Sequence, residues 1–66
     1  MDAAALRKNT METLALLVER YPNLRIGTII NGTSVDLYHA TDEELARAVN
    51  QLFVTYTQFE AAGIKP

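Results

Sequence analysis

The chain predicts an all-α fold, a compact three-helix domain with a long helix, a short helix and a long helix, and three observations carry that prediction. Residues 2–20 contain neither Gly nor Pro and are rich in Ala, Leu, Glu, Lys and Arg, all good helix formers. The run Thr41-Asp42-Glu43-Glu44-Leu45 has the spacing of a capping box and opens a second long segment with helical apolar periodicity. Between them, Tyr21-Pro22-Asn23-Leu24-Arg25-Ile26-Gly27 breaks the chain, and Asn31-Gly32 then stops a short third candidate.

The first helix is expected from Asp2 to about Arg20, with Asp2 as N-cap or first-turn anion beside the orphan amides. At 100° per residue, Ala3, Arg7, Thr10, Met11, Leu14, Leu17, Val18 and Tyr21 share a stripe, while Asn9, Glu12, Glu19 and Arg20 lie largely opposite. Pro22 biases Tyr21 away from the α region and ends the helix. Asn23 is placed to cap a second helix from Leu24 to Asn31, with Ile26, Ile29 and Ile30 as its apolar face. Gly27 within it costs about 1 kcal/mol relative to Ala, which suggests a close approach of another backbone there.

Gly32 to Ala40 reads as a loop, with Val35 and Leu37 as anchors into the core and room for a short extended piece from Val35 to Tyr38. The third helix is expected from Asp42 to about Phe59 or Ala61, ended by Gly63 and released by Pro66. Leu45, Ala48, Val49, Leu52, Tyr56 and Phe59 make its apolar face, widened by Phe53. The simplest closure packs the two long helices antiparallel with the short one wedged across them.

Sixty-six residues leave room for one domain, 1–66, which buries a smaller share of its surface than a larger one. The absence of cysteine removes a disulfide framework, and a single histidine without thiolates argues against a closed zinc site. Tight helix packing or self-association as a helical homodimer remains as a source of stability. A net charge of -2, with only six Lys and Arg, provides no footprint for a phosphate backbone. No apolar run approaches the roughly 20 residues that span a bilayer. The Met1 to Ala5 start also lacks a basic region followed by an apolar stretch, so the expectation is a cytoplasmic protein with no membrane partner.

No catalytic, cofactor or metal signature stands out. His39 lies near Tyr38, Asp36, Asp42 and Glu43, but acid-base work needs a positioned partner and a pocket, and Thr33 and Ser34 lack a nearby base. Asp42, Glu43 and Glu44 are consecutive on a helix and splay around it, which suits capping and not convergence on one ion. Arg25 opposes the dipole of its helix and calls for an acidic neighbour such as Asp36 or Asp42. A helix-turn-helix is disfavoured by a connection of about nine residues and by the acidic start of the would-be recognition helix.

The misplaced apolar residues are more informative. Leu16 lies about 200° from Leu14, among Asn9, Glu12 and Glu19, and Val54 lies opposite Leu45, near Arg47 and Gln58. Leu16, Glu12, Glu19, Val54 and Arg47 are therefore the candidate protein interface.

The run from Tyr21 to Asn31, followed by Asp36-Leu37-Tyr38 and Thr41-Asp42-Glu43-Glu44-Leu45, resembles a pattern of small uncharacterised bacterial and phage-encoded helical proteins. The chain carries Thr28 where that pattern has glutamine. The resemblance implies an origin and a shared helical core, and carries no activity or functional residue with it.

The expectation from sequence is a small protein-binding accessory module, phage or bacterial, that binds another protein or itself. No enzymatic activity, cofactor or metal is expected. A small DNA-associated regulator is the alternative, and an enzyme using His39 the distant one.

Overall fold

The computed structural model of the chain describes residues 2–65, and among them three helices and no strand: α1 Ala3–Arg20, α2 Ile26–Asn31 and α3 Asp42–Ala61. Met1, part of the start read for targeting, and Pro66, expected to release the last helix, lie outside the described residues.

Each long helix is capped as its sequence predicts. Asp2 Oδ1 accepts the amide of Ala5 at 2.7 Å. At α3, Thr41 Oγ1 accepts the Glu44 amide at 3.1 Å while Glu44 Oε1 accepts the Thr41 amide at 3.3 Å, completing the capping box. The far end of α3 closes as a Schellman motif: the Ile64 amide donates to the Phe59 carbonyl at 2.8 Å and the Gly63 amide to the Glu60 carbonyl at 3.0 Å. Gly63 adopts φ 79°, the left-handed geometry that this motif requires.

The connection departs from expectation in five places. The Leu24 amide bonds the Tyr21 carbonyl at 3.0 Å, closing Tyr21-Pro22-Asn23-Leu24 as a turn. Asn23 is consumed by that turn, so α2 starts at Ile26 with Arg25 as an N-cap lacking a side-chain bond, not at Leu24 under an Asn23 cap. A Cβ at Gly27 would meet nothing within 4 Å, so no backbone approaches there. The close approach is at Gly32, where a Cβ would sit 3.2 Å from Leu52 Cδ1 and 3.3 Å from the Tyr56 hydroxyl oxygen. The 35–38 segment is not extended: Asp36 Oδ1 accepts the Tyr38 amide at 3.1 Å and the Asp36 carbonyl accepts the Ala40 amide at 2.8 Å, tightening it into a turn. Val35 is half-buried as an anchor, but that turn leaves Leu37 exposed. Arg25 pairs with neither Asp36 nor Asp42, because Asp36 is held by His39 and Asp42 by Arg7.

The largest correction concerns direction. Arg7 Nε meets Asp42 Oδ2 at 2.8 Å near the starts of α1 and α3, and Arg20 Nε meets Glu60 Oε2 at 3.1 Å near their ends. The two long helices are therefore parallel, not antiparallel. The segment containing α2 carries the chain back along the molecule, so α3 begins where α1 began.

Leu17, Ile29 and Val49, one from each helix, are fully buried and form the centre of the core with Tyr21 and Leu52. Leu14, Val18, Leu24, Leu45, Phe53 and Tyr56 pack around them. Thr10 is also buried; its hydroxyl donates to the Leu6 carbonyl at 2.8 Å, satisfying the polar atom within its own helix. Tyr21 and Tyr56 meet edge to face at 5.2 Å between centroids.

Candidate functional site

Met11, Leu14, Ala15 and Val18 follow the i, i+3, i+4, i+7 spacing that puts side chains on one helical stripe. With Leu17 turned into the core, Leu14 and Val18 fall on the flank facing α2 and are half-buried. Met11 and Ala15 lie further round and stay exposed, Met11 at 61%. Ile26, the first residue of α2, stands 57% exposed beside them, and together they line a shallow recess of about 390 Å³ with Glu19 at its edge. A second recess of about 130 Å³ shares Met11 and Leu14 and extends past Ile30 and Leu37 to Leu45. The outcome is one apolar seam along α1, continuous through Met11.

The charges at its margins are arranged by end. Arg7, near the start of α1, is engaged by Asp42, whose hydrogen bond and charge raise the guanidinium pKa above its ordinary value. Lys8 and Glu19 stand on the same side of α1 as Ala15, at opposite ends of the seam, and neither pairs with another described residue.

Leu16 and Val54, the apolar residues singled out in the sequence, are exposed at 52% and 46%, and Glu12, Glu19 and Arg47 are exposed as well. On a helix with 100° per residue, Leu16 falls on the opposite flank of Leu17 from Val18. Of the five, only Glu19 borders the seam. Met11 and Ile26 were assigned to buried faces by periodicity and are the surface residues that this assignment missed. The available signal was the breadth of the α1 stripe, from Leu17 round to Ala15, which exceeds what one neighbouring helix covers.

His39 is held at the surface. Its Nδ1 lies 2.6 Å from Asp36 Oδ2, and its ring packs edge to face on Tyr38 at 4.8 Å. The His39 hydrogen bond, followed by the Tyr38 amide, holds the Asp36 carboxyl below its ordinary range. Ser34, at φ 58°, borders the same open recess, but no hydrogen bond joins it to His39, so a nucleophile and base are not assembled. Among the described residues no three His, Cys, Asp or Glu side chains are grouped to hold a metal ion, and no helix is long and apolar enough to cross a membrane.

The ends of α1 and α3 frame a further recess of about 340 Å³. Three of its polar groups join: Glu60 accepts from both Arg20 and the Tyr21 hydroxyl, the latter at 3.0 Å. Burial first, and then the bond to Glu60, push the Tyr21 phenol pKa up. This cluster locks two helix ends together.

No protein-family model, curated protein or solved structure matches the chain.

Proposed function

We propose that this protein is a docking module that binds a helical segment of a protein through the apolar seam of α1 and Ile26. The observation that carries this reading is the i, i+3, i+4, i+7 stripe of Met11, Leu14, Ala15 and Val18, of which Met11 and Ala15 are exposed beside an exposed Ile26, in a chain whose core already fills the other side of the same helix. An amphipathic helix laid along such a stripe buries apolar side chains without requiring a deep pocket. Leu16 and Val54 are weaker candidates because each stands among polar neighbours, whereas the seam residues adjoin one another.

An accessory role in a bacterial or phage-infected cytoplasm belongs to the same proposal and is supported by the resemblance of the 21–45 tract. The test is affinity capture from a bacterial lysate with the parent, a Met11→Lys, Ile26→Lys variant and a Leu16→Lys, Val54→Lys variant. A protein retained by the parent and the second variant but lost by the first is the expected result. Equal retention by all three would overturn the assignment of the surface.

A further inference from the structure

We infer that the seam of α1 receives a second copy of this chain, with the two α1 helices antiparallel about a two-fold axis near Leu14 and Ala15. This rests on the reading of the seam as a docking surface and names its occupant.

Charge is the first ground. Lys8 and Glu19 occupy the same flank of α1, one at each end of the seam, and neither pairs with a described residue. Two α1 helices packed antiparallel bring this flank of one against the same flank of the other, so Lys8 of each copy comes beside Glu19 of its mate. A parallel pairing sets each flank against the other side of the mate, where Leu17 and α3 already sit, and leaves both charges unmatched. Antiparallel apposition also opposes the two helix dipoles.

Shape agrees. Ala15 lies midway along the seam, where a short side chain lets two helix backbones come close, and Met11 and Val18 lie at symmetric positions to either side. A two-fold pairing places Met11 of one copy against Val18 of the other, twice over, as a self-complementary interface demands.

Size supplies the third ground: a chain this short, without disulfides, gains most from assembly.

The experiment is sedimentation equilibrium of the full chain over a concentration series from micromolar to millimolar, with circular dichroism to confirm that every variant is folded. The parent is expected to form a dimer. Lys8→Glu and Glu19→Lys should each weaken it about tenfold, since each reversal places like charges together twice per dimer. The double variant, which restores opposite charges across the axis, should recover most of the parent affinity, and Leu16→Lys should leave the dimer unchanged. A chain that stays monomeric throughout overturns the pairing, as does a double variant no better than the singles, or loss of the dimer in Leu16→Lys. A monomer that still loses its captured protein on Met11→Lys, Ile26→Lys overturns self-pairing alone and leaves the docking module standing.

Discussion

α1 and α3 are nearly equal in length, 18 and 20 residues, and lie side by side, yet they are built to different specifications. α3 carries a full capping box, three acidic residues in its first turn and a Schellman close, and its apolar face is turned to the core from Leu45 to Tyr56. α1 has a single side-chain cap at Asp2, and its apolar residues spread beyond the face that α3 and α2 cover. A helix that serves only the core needs one stripe. The second stripe on α1 is the surface to which the proposed docking role is assigned.

That contrast can be broken most forcefully at the shared core. Leu17→Ala is expected to cost about 2–5 kcal/mol in urea unfolding, a large fraction of the stability of so short a chain. A loss well under that range would mean that α1 is held mainly by its ends. Next in size is the cap of α3: Thr41→Ala should cost about 1 kcal/mol by removing the bond to the Glu44 amide.

Met11→Lys probes the other stripe and, at a concentration where the parent is monomeric, should leave unfolding within about 0.5 kcal/mol of the parent while weakening association at higher concentration. A loss on the scale of Leu17→Ala would instead make Met11 part of the core and merge the two stripes.

The smallest expected effects are those of pH. The Tyr21 phenol is raised above its ordinary 10.0, so its bond to Glu60 contributes stability fully below that value and loses it as pH rises through the higher folded one. In an absorbance titration Tyr21 should ionise above 10.0, and Tyr21→Phe should remove that step. At the acid end, Asp36 is held below its ordinary 3.8, so the 36–40 turn is supported above that value and released as pH falls through the lower folded one. The Tyr38 amide chemical shift reports it, and His39→Ala should move the transition toward 3.8.

The helices and their ends were legible because their signals are local: Asp2, Thr41 with Glu44, Pro22 and Gly63 each act within one turn of where they stand. Some of what escaped is a competition between local signals: Asn23 suits either a helix cap or the turn that Pro22 starts, and the Leu24 amide reaching back to Tyr21 decides for the turn. The rest depends on partners distant in sequence, for nothing near Gly32 announces Leu52 and Tyr56. The direction of α3 was hidden for the same reason, since a connection of this length can deliver the chain to either end of α1. The exposed apolar residues were half legible. Periodicity marks Leu16 as exposed, but it places Met11 on the buried stripe with Leu14, Leu17 and Val18, because it cannot say how far round α1 its neighbours reach.

Parallel packing also changes how the chain must find its fold. In a helical hairpin the first contacts form beside the turn and the rest zip outward from it. Here the contacts at one end join residues 35 apart and those at the other join residues 39 and 40 apart, so each must close a loop of nearly the same size. No short loop brings α1 and α3 together, so their pairing has a contact order higher than a hairpin of the same size would have, and the shorter closure of α2 on α1 can precede it. The same logic makes the connection forgiving. Six residues added between Gly32 and Ala40 lengthen every one of those loops by a similar small fraction, and the closure entropy rises by only about 0.1–0.2 kcal/mol.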